Sequence, residues 1–351
     1  MTPSTSIQSS YPWTTTPFIA NAPMGGFANS ALAIAVTQAK GFGFIGAVFD
    51  MVALATELEK TSKALLGTEV PENNSTLPVG VGFLPFAAKL GDAAAVVAKF
   101  RPAAVWVFAS HDLEEYATWA QRMREVSPLT KIWVQIGGVA GALRVAQLVK
   151  PDVLVMQGLD AGGHGWEKGA GVISLLPEAA DVLAENGYGH IHLLAAGGVV
   201  DGRGVAAALA LGAEGVVMGT RFLSASETTV PHKGYREAVL ATRDGGQNTV
   251  RAKVFDELRG PNIWPVLFDG RGIITDSYTD YVSGMDIEEI RKLHAEAARG
   301  DDAGFGPQNR RTTVWAGTGI GLVNEVKGAK EIVEEVREGA RTAIERAKAH
   351  L

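Results

Sequence analysis

Between positions 157 and 165 the chain reads Gln157-Gly158-Leu159-Asp160-Ala161-Gly162-Gly163-His164-Gly165, which sets one imidazole and one side-chain amide among four glycines. Imidazole changes charge in the neutral pH range, so a histidine placed here can take a proton from a carbon acid or stabilise an anion. Gln157 offers an amide that both donates and accepts, as the edge of a planar heterocycle requires, and the glycines remove side-chain bulk over such a ring. An isolated histidine more often satisfies a loop carbonyl, and that reading applies to His111, His190, His192, His232, His294 and His350. The Gly-Gly-His-Gly setting at a strand end favours chemistry for His164 alone.

Two more glycine-rich stretches follow, Ala195-Ala196-Gly197-Gly198-Val199 and Val217-Met218-Gly219-Thr220. Glycine lets backbone N–H groups come close to phosphate oxygens, a short helix N-terminus adds favourable potential, and Thr220 can donate its hydroxyl. Either stretch alone is equally well a tight strand-to-helix turn. Together, after the last two strands of a repeating pattern, they favour one phosphate held without a lysine. They indicate phosphate and not its bearer, because many barrels that bind phosphorylated sugars carry the same pair.

The elements that must position these residues are visible as a beat. Apolar runs at 17–24, 42–48, 77–84, 103–109, 131–137, 153–158, 190–198 and 215–223 make eight candidate strands, alternating with stretches of helical composition such as 30–40, 112–125, 141–150, 175–185 and 202–211. Strands that are apolar throughout, rather than alternating, suit a parallel sheet covered by helices, and eight such units close a (β/α)8 barrel. A doubly wound sheet is the rival, but Met24-Gly25-Gly26-Phe27-Ala28-Asn29 fits the dinucleotide fingerprint poorly after the first strand. In a barrel the site forms at the C-terminal strand ends, with phosphate after strands seven and eight, where the glycine-rich stretches stand.

After residue 223 the beat stops. Residues 224–310 mix Pro, Gly and charged residues with one strong helix at 286–299, and are expected to form an inserted subdomain or lid; residues 1–223 and 311–351 are expected to form the barrel. Trp264 and Trp315 could face the pocket or a subunit contact, with core packing the simpler account of each.

With 351 residues, 46% of them hydrophobic and 20% charged, the chain can bury a large core. The net charge of −6 with interspersed signs supplies no basic patch for nucleic acid. No apolar run is long enough to span a bilayer, and the polar start lacks a leader pattern, so a cytoplasmic protein without a membrane partner is expected. The final Ala349-His350-Leu351 loosely matches peroxisomal signals, with an ordinary helix end the simpler account. Cys is absent, which excludes disulfides, thiolate metal sites, iron–sulfur clusters and a thiol nucleophile. No metal site is expected, and redox chemistry would need a bound cofactor.

The segment from Gln157 to Gly165, then Ala196-Gly197-Gly198-Val199-x-Asp201-Gly202, then Gly212-Ala213-x-Gly215-x-x-Met218-Gly219-Thr220-x-Phe222, resembles the nitronate monooxygenase signature in order and spacing. Ala22-Pro23-Met24 and Ala316-Gly317-Thr318-Gly319-x-Gly321 also fit it. The resemblance implies FMN, with Pro23 and Met24 at the ring and Gln157 and Gly162, beside Gly163, near the ring and ribityl chain. It implies phosphate contacts from Gly198, Met218, Gly219 and Thr220, flanked by Gly197 and Val217. It gives His164 the role of base. The implied reaction oxidises an alkyl nitronate, or a nitroalkane after loss of its α-proton, with O2 to a carbonyl compound and nitrite. One departure is Gly80-Val81-Gly82, where many relatives have Gly-Val-Asn. Rival readings are an FMN-dependent NAD(P)H:quinone or enoyl-thioester reductase and a non-catalytic flavin- or metabolite-binding protein. Chemistry of the IMP dehydrogenase kind fails for want of a cysteine.

Overall fold

The computed structural model describes residues 6–46, 49–68 and 76–350. Among them, strands run at β1 (Phe18–Asn21), β2 (Phe44–Gly46), β3 (Leu77–Phe83), β4 (Pro102–Val107), β5 (Lys131–Ile136), β6 (Val153–Gln157), β7 (Gly163–Trp166), β8 (His192–Ala196), β9 (Gly215–Met218), β10 (Thr249–Ala252) and β11 (Phe268–Ile273). Eight of these form one sheet in the order β1-β9-β8-β6-β5-β4-β3-β2, each pair parallel. A parallel bridge between Ala20 and Phe42 joins the two edges, so the sheet is a nearly closed barrel. The seventh and eighth barrel strands are therefore β8 and β9. Part of the second expected strand, at 47–48, lies outside the described residues, as does Leu351 of the terminal tripeptide.

The continuous apolar strands are explained by burial on both faces: every residue of β4, β8 and β9 is buried. Outward-facing Val81, Val105, Val134, Leu154 and Val216 pack on helical residues such as Leu32, Val36 and Leu176. Inward, Phe18, Phe42, Phe44, Trp106 and Trp133 fill the barrel together with Tyr11 from the polar-looking start of the chain. Trp133 Nε1 donates to Tyr11 Oη at 2.6 Å, which satisfies the buried indole and ties the N-terminal segment into this plug. With that end filled, space for a ligand remains at the C-terminal strand ends.

The last helix, Ala329–Lys348, lies against the helix Gly202–Ala210, where the glycines at 202 and 339 approach closely. Arg337, buried on that helix, donates to the carbonyls of Ala39 and Lys40 at the end of helix Ser30–Gln38, as a C-terminal cap does.

Residues 224–310 hold helices Lys233–Ala241, Asp276–Val282 and Ile287–Ala297, several single turns, and strands β10 and β11. Here the structure departs from expectation. Residues 163–166, read as loop, form β7, which pairs antiparallel with β11 and completes a three-stranded sheet β10-β11-β7. The partner strand lies about a hundred residues later, so no local pattern announces it. The eighth strand also stops at Met218, and Thr220–Ser224 turns into a 3-10 helix.

Candidate active site

At the C-terminal ends of the strands the chain encloses a cavity of two connected parts. The wider, about 290 Å³, is walled by Pro23, Met24, Phe83, Leu84, Trp106, Phe108, Trp264 and Trp315. The narrower, about 60 Å³, is walled by Gly197, Gly198, Val199, Val217, Gly317 and Gly319. Ala22, Trp106, Gln135, Gln157, Gly162, Gly219 and Thr220 line both parts, so the two are one elongated space. Among the described lining residues the titratable side chains are His164 and Tyr235, and none is Lys, Arg, Asp or Glu. Burial pushes the Tyr235 phenol far above its usual range, and its hydroxyl donates to the Trp315 carbonyl at 3.1 Å.

The narrow part follows β8 and β9. Gly197 and Gly198 have φ of +101° and +77°, a conformation that costs a side-chain-bearing residue roughly 1–2 kcal/mol. Bending through it leaves the amides of Gly198 and Val199, among the described residues, donating to no backbone carbonyl. An N–H on a buried residue such as Val199 calls for an acceptor, and that of the exposed Gly198 stands open to one. Thr220 Oγ accepts from the Gly317 amide at 3.0 Å and keeps its own proton free to donate. Gly162 is required by close approach: a Cβ there would sit 2.3 Å from the backbone of Ala316 and Gly317, which form the roof. Helix Gly202–Ala210 begins just beyond, capped by the Asp201 carboxylate on the amides of Arg203 and Gly204.

In the wide part, His164 Nε2 lies 2.7 Å from Oδ1 of Asp256, whose side chain is only 7% exposed. The imidazole stacks face to face on Trp264, with centroids 3.5 Å apart and planes 9° apart, and Trp315 lies 4.7 Å away at a tilt. Trp264 in turn packs on Phe86 of the barrel rim at 4.7 Å. Gln157 donates to the His164 carbonyl at 3.1 Å, which fixes the turn from β6 into β7.

The sequence of nitronate monooxygenases as a family matches residues 119–339. A nitronate monooxygenase of Metarhizium robertsii is 42% identical over 97% of this chain and 96% of its own. One of Neurospora crassa is 37% identical over 98% of this chain and 94% of its own. The chain belongs to the nitronate monooxygenase family. That family is generally flavin-dependent. Among solved structures, FabK from Thermotoga maritima superposes with a TM-score of 0.74 at 23% identity, covering 98% of both chains. A nitroalkane oxidase from Streptomyces ansochromogenes gives 0.72 at 21%, covering 97% of this chain and 99% of that one. Both support the barrel fold.

For a nitronate monooxygenase family member, the site gathers Pro23, Met24, Gln157, Gly162, Gly163, His164, Gly219 and Thr220 on the wide part, and Gly197, Gly198 and Val217 on the narrow part. Met218 is the exception. Its side chain is fully buried in the outer core, and it meets the site only by accepting, through its carbonyl, from the Ala22 amide at 2.9 Å. Trp264 and Trp315 are corrected from core packing to cavity wall: both line the wide part, Trp264 stacked on His164 and Trp315 held beside it by an antiparallel bridge to Gly272. Gly82 also gains a reason: a Cβ at that position would lie 2.4 Å from Pro23 Cβ, so the proline occupies the space an asparagine would need. Gln135 was not anticipated. It stands on β5, is 7% exposed and lines both parts, and a polar residue in the apolar run Ile132-Trp133-Val134-Gln135-Ile136 is the signal that finds it. No helix among the described residues is long and apolar enough to cross a membrane.

Proposed function

We propose that the protein is an FMN-dependent oxidoreductase that oxidises alkyl nitronates with O2 to a carbonyl compound and nitrite. The observation that carries this reading is the two-part cavity, with the His164 imidazole in the wall of its wide end and unpaired amides at its narrow end. The residues present suit FMN. Wide apolar walls suit a ring system, the Gln135 and Gln157 amides stand at the junction, and Gly198, Val199, Gly219 and Thr220 would hold one phosphate. When bound, FMN supplies the redox chemistry, taking electrons from the substrate and passing them to O2.

The chain's own part is orientation, exclusion of water and proton transfer. A nitronate is already an anion at carbon and nitro oxygen, so it needs only placement against the ring. A neutral nitroalkane must first lose its α-proton; the C–H electron pair passes to the nitro group and the proton to His164. We extend the proposal to residues 224–310 as an inserted lid. Tyr235 and Trp264 from this segment line the cavity, and Asp256 reaches His164 from it. Aerobic incubation of the yellow protein with ethyl nitronate should consume O2 and release acetaldehyde and nitrite. Absence of nitrite, with O2 consumed only when NADH is added, would replace this reading by a reductase.

A further inference from the structure

The His164–Asp256 contact joins two parts of the chain 92 residues apart, and it has features that a simple docking bond lacks. The Asp256 side chain is 7% exposed, and its second oxygen, Oδ2, is buried without any hydrogen-bond partner. A buried carboxylate with one bare oxygen costs stability, so a chain that needed only to pin a lid would do better with an apolar contact. A lone carboxylate acceptor also dictates the state of the ring it faces. An ionised carboxylate only accepts, so the Nε2 it touches carries a proton, and in the neutral ring it is then Nδ1 that keeps the lone pair. Among the described residues Nδ1 has no hydrogen-bond partner. Trp264 and Trp315 restrict the ring from its faces, and Asp256 restricts its rotation in the plane.

We infer that Asp256 is the positioning residue of His164, and that it rests on the reading of His164 as the base. It holds the Nε2–H tautomer, presents Nδ1 to the α-carbon of a neutral nitroalkane, and compensates the imidazolium once the proton has moved. In that step the α-C–H bond breaks, its electron pair forms the nitronate, and Nδ1–H forms. The proton ends on Nδ1 and is not passed on to Asp256. The bare carboxylate is thereby poised for the charge that appears only after transfer, which is where a fixed counter-charge accelerates a reaction. The inserted segment then does more than cover the site: it completes the base.

The test uses the holoenzyme labelled with 15N-histidine, the His164 signals being assigned by their loss in His164→Asn. Nitrogen shifts of the neutral ring should place the proton on Nε2. A proton on Nδ1 instead would overturn the inference, and this reading needs no substrate and no Asp256 variant. Turnover of neutral nitroethane and of preformed ethyl nitronate is then compared in Asp256→Asn and Asp256→Glu. Asp256→Asn should lose about 10²-fold on nitroethane, within the range of a displaced base, and at least about tenfold less than that on the nitronate. Asp256→Glu, which restores the carboxylate, should recover most of the nitroethane rate. An unchanged ratio of the two substrates in Asp256→Asn, while His164→Asn abolishes nitroethane turnover, would leave the base in place and make the contact a docking bond only. If His164→Asn spared nitroethane turnover, the base reading would fall and this inference with it.

Discussion

Substituting Gly219 by Asp tests the phosphate assignment with a clean control. The residue has φ of −104°, which any side chain tolerates, and a Cβ there would lie 3.7 Å from Ala22 Cβ and Met24 Sδ, an ordinary contact. Gly219→Ala therefore fits without moving the backbone and should keep most of its FMN. Gly219→Asp fits sterically as well, but adds a carboxylate to the wall that would face the phosphate. Two like charges about 4 Å apart repel by about 4 kcal/mol at an effective dielectric of about 20. The position is half-buried, so solvent reduces that to roughly 2 kcal/mol, which corresponds to a loss of affinity of about 30-fold. The assays are the flavin-to-protein ratio after purification and fluorescence titration of the apoprotein with FMN. Equal FMN affinity in Gly219→Asp and Gly219→Ala would refute the assignment. Loss of flavin in both would mean that the site has no room where the geometry says it has.

His164→Asn should lower turnover of neutral nitroalkanes by about 10²–10⁴-fold, roughly 3–5 kcal/mol of barrier, and affect preformed nitronates far less, with flavin content unchanged; equal losses on both substrates would indicate binding and not proton transfer. Trp264→Leu removes the face-to-face stack on His164, worth about 0.5–1.5 kcal/mol beyond its area, and should cost up to about tenfold in nitroalkane turnover while leaving FMN bound. Asp201→Ala removes the cap of helix Gly202–Ala210 and should cost about 1 kcal/mol near neutral pH by thermal unfolding. Burial pushes the Asp201 carboxyl up, but bonds from the Arg203 side chain and the Gly204 amide outweigh it and hold it below its usual range. A depressed carboxylate stabilises the fold above its unfolded pKa and loses that contribution as pH falls through the folded value. The difference between Asp201→Ala and the parent should accordingly shrink below about pH 4.

Much of the site was legible because its parts are local. Gly197-Gly198 and Gly219-Thr220 follow consecutive strands, and His164 sits in its own glycine setting, so a few neighbouring residues announce each one's place on the cavity wall. The parts that escaped are those made by tertiary approach. Asp256 and Trp264 reach His164 from about a hundred residues away, in a stretch whose composition says only that the regular beat has stopped. β7 exists because β11 returns to pair with it, and Tyr11, in a polar-looking start, proves to be part of the barrel plug. Met218 went the other way. Its neighbours line the cavity, but strand alternation turns its side chain outward into the core, where motif spacing alone gives no sign of direction.

Whether this cavity carries out flavin-dependent oxidation of nitronates is decided by anaerobic mixing of the purified yellow protein with ethyl nitronate and, separately, with NADH. The nitronate should perturb or bleach the flavin absorbance within the turnover time, air should restore it with release of nitrite, and NADH should leave the spectrum unchanged over the same period. Rapid bleaching by NADH with no response to the nitronate would contradict this reading.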